Sequence, residues 1–269
     1  MIVRWADTEA GKDVGLAAGA LNVGLYRVEI APEQTAAQAD APVEEIVFVL
    51  EGSGWWENGA ESSEIRPGDC GVRLVQDRDH LLRAGKDGLT VLAFVSPLAR
   101  KLYTQPTARK PNIVSVGSVE HDYEGDAGKW VVLARKAGAV RAGLNWGYLE
   151  PGKIGAHPHL HSADEEVFVI LEGGGTLELW PSPVRAEGDD RMEREERPIS
   201  AGDVVWRPPS TGIAHSLRAG DEGITFLAYG TREPNDVCYY PRSNKIYWRG
   251  VGLITRLEAL GYDDGEPED

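Results

Sequence analysis

Three of the six histidines in this chain fall within five residues, in the run HPHLHSADEEVFVILEGGG from His157 to Gly175. Residues at i and i+2 share a face of a β-strand, so His157, His159 and His161 would project together. After the turn-like Ser162-Ala163-Asp164 an apolar run begins, with Glu166, Phe168 and Ile170 on one face and Val167, Val169 and Leu171 on the other. A hairpin between the two runs would set the Glu166 carboxylate against the imidazoles. His215 opens a later apolar run, after the turn Pro208-Pro209-Ser210-Thr211-Gly212. Three strands would thus bring three imidazoles and a carboxylate to one interior point.

Imidazole and carboxylate suit first-row divalent metals, and four protein ligands on a six-coordinate ion leave positions open to water or substrate. A tetrahedral zinc site made of the same four groups would be closed and structural. The spacing does not choose between these. A metal-free polar cluster is the competing reading, and it would need many compensating hydrogen bonds for four buried titratable groups. His157 reads either as a rim group that orients a ligand or as a surface residue. Arg207, just before the Pro turn, reads as a surface arginine or as one that reaches an anionic substrate.

The elements that would hold these groups occur twice. GLYRVEIAP from Gly24 matches GLNWGYLEP from Gly143, and VEEIVFVLEGSG from Val43 matches DEEVFVILEGGG from Asp164. IRPGDCGVRL from Ile65 matches ISAGDVVWRP from Ile199, HLLRAG from His80 matches HSLRAG from His215, and GLTVLAFVSP from Gly88 matches GITFLAYGTR from Gly223. Five blocks in one order mean two copies of one domain. Each copy is a series of short Val-, Ile-, Phe- and Leu-rich runs punctuated by Gly, Pro, Asn and Asp, the pattern of an all-β sandwich or barrel. The second copy carries an extra charged stretch from Pro181 to Pro198, read as a solvated excursion between two strands.

HLHSADEEVFVILEG, with His-x-His, four residues, Glu166, six residues and Gly173, resembles the first motif of the cupin superfamily. GDVVWRPPSTGIAHSLRAG resembles the second, although Pro209 and Gly212 are separated by two residues where one is usual. The resemblance implies a bicupin, two tandem jelly-roll β-barrels. The expected organisation is an N-terminal barrel over 1–111, a C-terminal barrel over 112–236, and an extension over 237–269 that packs on them. It also implies that His159, His161, Glu166 and His215 ligate one divalent transition metal (iron, manganese, nickel or zinc). A metal-dependent enzyme follows, dioxygenase-like and so an oxidoreductase, or an isomerase, lyase or hydrolase. It would act on a small oxygen-rich organic substrate. A metabolite-binding or sensing protein without turnover is the alternative.

The first copy is an internal control. Gln38 and Asp40 stand where the second copy has its two metal histidines, while Glu45 and His80 remain opposite Glu166 and His215. This set reads as a degenerate, metal-free site, because the better transition-metal ligands are gone.

Charge and cysteine content narrow the partners. Forty-three acidic against 28 basic residues give a net charge of −15, which repels phosphate backbones and argues against nucleic acid. The start lacks a basic n-region before an apolar run, and no segment approaches the ~18 apolar residues of a membrane span. Cys70 and Cys238 are too few for a disulfide framework. The expectation is a cytoplasmic protein, monomeric or a homodimer, whose partner is a small molecule and not a membrane.

Overall fold

The computed structural model describes residues 2–9, 11–37, 43–74, 80–97, 113–182, 193–258, 260–261 and 263–265. The alternating runs form antiparallel strands. Seven of them, β2 (Gly24–Ile30), β3 (Thr35–Ala37), β4 (Val43–Asn58), β5 (Glu61–Ile65), β6 (Asp69–Leu74), β7 (His80–Pro97) and β8 (Val114–Ser115), make one sheet. Its path is β2-β7-β4-β6-β8, with β3 on β7 and β5 on β4. The second sheet contains β9 (Tyr123–Gly125), β10 (Gly128–Val131), β11 (Ala142–Leu149), β13 (Glu166–Pro181), β14 (Glu195–Ser200), β15 (Asp203–Arg207) and β16 (Ile213–Thr231). It also takes in β1 (Ile2–Arg4), which pairs with β15, Ile2 opposite Val205. A third sheet, β12 (Leu160–His161), β17 (Val237–Tyr240), β18 (Lys245–Trp248) and β19 (Leu253–Arg256), joins the histidine run to the C-terminal extension.

The long strands β4 and β13 bend at matching places. The register of β4 with β7 breaks between Val49 and Glu51, and that of β13 with β16 between Ile170 and Glu172. Gly52 and Gly173 sit at these bulges with φ of 77° and 71°, and a Cβ on either would lie 2.2 Å from a carbonyl oxygen of the facing strand. Only glycine meets both demands, which explains the glycine that ends each apolar run.

Alternation divides the apolar residues among three cores. Val47 and Val49 pack inside the first unit with Trp56, Leu82 and Val91, and Phe168 and Ile170 pack inside the second with Leu217 and Phe226. The opposite faces, Ile46, Phe48, Leu92 and Phe94 from one sheet and Val167, Val169, Leu227 and Tyr229 from the other, share a third core between them. Phe94 meets Tyr229, its own counterpart in the repeat, with ring centroids 4.8 Å apart, and the Tyr229 hydroxyl hydrogen-bonds to Ser96.

The adjacent glutamates of each repeat divide their work in the same way. Glu45 and Glu166 turn into their own units, whereas Glu44 and Glu165 reach across to the other. Glu44 accepts the backbone N–H groups of Val140, Arg141 and Ala142 at 2.7, 2.9 and 2.9 Å. Glu165 accepts those of Leu21 and Asn22, both at 2.8 Å, and the Trp206 indole N–H at 2.6 Å. The receiving segments also correspond, since each follows a short helix, α1 (Val14–Ala18) or α2 (Leu133–Lys136). The two sheets are therefore latched to each other reciprocally.

The charged stretch from Pro181 to Pro198 is shorter as an excursion than its composition suggests. Residues 183–192 lie outside the described residues, but β13 runs on to Pro181 and β14 pairs Glu195–Pro198 with Leu179–Thr176. These β14 residues are exposed, and Arg197 pairs with Glu195 across the strand surface, so an edge strand forms here without an apolar face. Gln38, Asp40 and the boundary at residues 111 and 112 also fall outside the described residues. Among the described residues no helix is long and apolar enough to cross a membrane.

Candidate metal centre

His159, His161, Glu166 and His215 lie close together. His215 pairs with His159 through an isolated β-bridge, and Glu166 enters at the first residue of β13. Oε2 of Glu166 lies 2.9 Å from Nε2 of His215, 3.5 Å from Nε2 of His161 and 4.0 Å from Nε2 of His159. Ligand atoms of His159, Glu166 and His215 all lie within 4.8 Å of one another, and those of His159, His161 and Cys238 form an overlapping triad.

The far nitrogens decide what the near ones offer. His159 Nδ1 donates to the His157 carbonyl at 2.7 Å, and His161 Nδ1 donates to Asp236 Oδ2 at 2.7 Å. A carbonyl and a carboxylate only accept, so both Nδ1 atoms carry protons and both Nε2 atoms are turned toward Glu166. Glu166 Oε2 and His215 Nε2 are buried and close, yet not aligned as a hydrogen bond. Burial alone would raise the Glu166 carboxyl, but the facing imidazoles outweigh it and hold the group well below the usual carboxylate range. Burial pushes His215 down to about 3 and also lowers His159. His161 resists burial, because Glu166 and Asp236 raise it to about 9. One carboxylate, two neutral imidazoles and a single imidazolium make a cluster that one cation can replace.

Asp236 and Arg249 escaped the sequence reading. Asp236 lies between β16 and β17 and accepts the N–H groups of Ala163 and Asp164 at 3.0 and 3.1 Å as well as that of His161. Burial works against its charge, but the His161 bond brings it down to about 2. Arg249 pairs with Asp164 and stands 3.6 Å from Asp236. The strand β12 itself is held by β17, Leu160 opposite Tyr239 and His161 opposite Cys238. Cys238 is a buried free thiol pushed up to about 12 by burial.

Two readings that the sequence left open are narrowed. The His157 ring is exposed, and only its backbone carbonyl serves the centre, because the i, i+2 face ends where the chain leaves regular strand. Arg207 is no surface arginine: it is 9% exposed, sits opposite Glu166 on β15, and donates to the Ile213 carbonyl at 3.0 Å. Its counterpart explains why. Arg73 occupies the same place opposite Glu45 and forms a buried ion pair with that carboxylate. In the first unit the guanidinium pairs with the glutamate; in the second the guanidinium bonds to the Ile213 carbonyl and the imidazoles surround the glutamate. His80 is buried against Trp56.

A cavity of about 390 Å³ opens onto the centre. His159, Glu166 and His215 line it, with Phe168, Leu217, Phe226 and Ala228 deeper and Arg232, Tyr247 and Arg249 among the remaining walls.

No protein-family pattern matches the chain, and none of the curated proteins matches it. Solved structures do. The oxalate decarboxylase of Bacillus subtilis at pH 4.6 aligns with a TM-score of 0.64 at 14% identity, over 85% of this chain and 75% of that one. The formate complex of the Lactobacillus farciminis oxalate decarboxylase aligns with a TM-score of 0.64 at 14% identity, over 86% of each chain. A further B. subtilis oxalate decarboxylase, described for its Mn(II) centres, aligns with a TM-score of 0.62 over 85% of this chain and 76% of that one, at 14% identity. At such identities the likeness establishes the fold, an all-β cupin architecture of the jelly-roll type.

Proposed function

We propose that the chain is a bicupin whose second unit holds one divalent transition metal on His159, His161, Glu166 and His215 and acts there on a small organic substrate. The observation that carries this reading is the set of Nε2 atoms gathered around one carboxylate oxygen, with the Nδ1 protons already engaged by His157 and Asp236. Such a set repels itself unless a proton or a cation lies among its members. When bound, the ion supplies a Lewis acid and, if iron or manganese, a redox centre. The protein's own part is to orient the imidazoles, to keep the Arg207 guanidinium off Glu166, and to present a walled cavity to the substrate.

The neighbouring folds belong to decarboxylases, which are lyases. That weakens the oxidoreductase assignment without replacing it. In the first unit the Arg73–Glu45 ion pair supports a metal-free reading. Elemental analysis of untagged protein tests the proposal: one metal per chain is expected, lost in His161→Ala and kept in His80→Ala. Two metals per chain, or none after growth in metal-replete medium, would overturn it.

A further inference from the structure

The register of the second sheet orders the cavity lining by depth. Glu166 lies opposite Gly230, and Gly230 opposite Gly143, so these three share the level of the proposed metal. Two residues inward, Phe168 lies opposite Ala228 and Ala228 opposite Asn145, and two further in come Phe226 and Gly147. Two residues outward from Gly230, on the same face of the chain, is Arg232. The cavity thus runs from a guanidinium at its mouth, past the imidazoles, to an apolar floor that carries a single amide.

Arg232 differs from the other arginines near the mouth. Arg249 is paired with Asp164, and Arg141 with Glu233. Among the described residues Arg232 has no carboxylate within ion-pair distance, in a chain of net charge −15. Burial lowers its guanidinium from the ordinary value, and Arg135 and Arg249 lower it further. Asp164 acts in the opposite sense but is outweighed, and two neighbouring cations at a half-buried position favour an anion at that point. Gly143 stands directly beneath it: a Cβ there would meet only Arg232 Cδ, at 3.8 Å. The corresponding positions of the first copy, Pro97 for Arg232 and Tyr26 for Asn145, carry neither the guanidinium nor the amide.

We propose that Arg232 anchors the carboxylate of the ligand, and that this ligand is a small organic acid with an apolar or aromatic body lying against Phe168, Ala228 and Phe226. The placing of a ligand oxygen on the metal rests on the function proposed above; the Arg232 anchor does not. A two-carbon diacid would leave the apolar floor empty, so oxalate is the wrong shape for this cavity.

The test uses the full chain and three probes, 3-phenyllactate, lactate and oxalate, titrated calorimetrically into metal-loaded and metal-stripped protein. Expected is binding of 3-phenyllactate at least 10-fold tighter than lactate or oxalate, since a buried phenyl group contributes roughly 10- to 100-fold. Arg232→Gln should weaken 3-phenyllactate about 10-fold or more with metal content unchanged, and Arg232→Lys should restore part of the loss. Gly143→Val, which fills the cavity from the opposite wall, should weaken it as well. Tighter binding of oxalate, no detectable binding of 3-phenyllactate at millimolar concentration, or equal affinity in Arg232→Gln would each overturn the proposal. If the protein takes up no metal while Arg232 still governs 3-phenyllactate affinity, the metal assignment fails and the anchor stands.

Discussion

Replacing Glu44 by alanine should unlatch the two units without touching the proposed centre. Glu44 is fully buried, and its carboxylate accepts three backbone N–H groups, at 2.7, 2.9 and 2.9 Å. Each bond to a charged acceptor is worth about 1.5 kcal/mol at the low end, and the donors left behind are enclosed by the shared core and cannot all recruit water. The loss is then about 4 to 5 kcal/mol, a large part of the ~5–15 kcal/mol that holds a domain folded. For chains of this size it corresponds to a fall in Tm of roughly 10–15 °C. Glu165→Ala removes the acceptor for the backbone N–H groups of Leu21 and Asn22 and for the Trp206 indole, so its cost should be similar. Differential scanning calorimetry measures both, with elemental analysis to show that Glu44→Ala leaves the metal content equal to that of the wild type. A fall of less than 3 °C in Glu44→Ala would refute the reasoning, because the three donors would then have found other partners at no cost.

Two further outcomes are expected. In metal-stripped protein the Tm should fall as pH drops from about 6.5 to 4.5. Burial holds His215 down to about 3 and lowers His159, so the unfolded chain, whose imidazoles titrate near ~6.5, binds protons that the folded chain refuses. His161, at about 9, is protonated in the folded state throughout; it opposes the fall only near the top of the window, where the unfolded imidazole titrates, and its contribution fades below that. His215→Leu should flatten the profile, and an unchanged slope would contradict the assignment. Arg73→Met should cost about 3–5 kcal/mol by stranding the Glu45 carboxylate, and the double variant Arg73→Met with Glu45→Leu should recover most of it. Urea denaturation checks this, and equal stability of the single variant and the wild type would count against a buried ion pair.

The repeat, the strands and the four convergent side chains could be read from the chain because each follows a local rule. The i, i+2 spacing of His159 and His161 puts them on one face, and the apolar alternation places Glu166 inward. What could not be read lies beyond such rules. Asp236 meets His161 across 75 residues, and nothing in its immediate surroundings marks it as an acceptor. The division of labour between Glu165 and Glu166 is the same period-two alternation that the apolar residues after them follow. Arg207 looked like surface because arginine usually is, although its alignment with Arg73, opposite a matching pair of glutamates, held the clue.

The pairing of β12 with β17 bears on the order in which the protein is made. A nascent chain that has just yielded Thr231 already holds His159, His161, Glu166 and His215, but it lacks the strand that fixes His161 and the carboxylate that orients its ring. At ~5–20 residues per second the stretch from His215 to Arg249 occupies the ribosome for a few seconds more. During that interval the four side chains of the proposed centre lack the partners that hold His161 in the finished chain. Under the function proposed above, a metal ion is therefore selected only after synthesis, when β17 closes on β12.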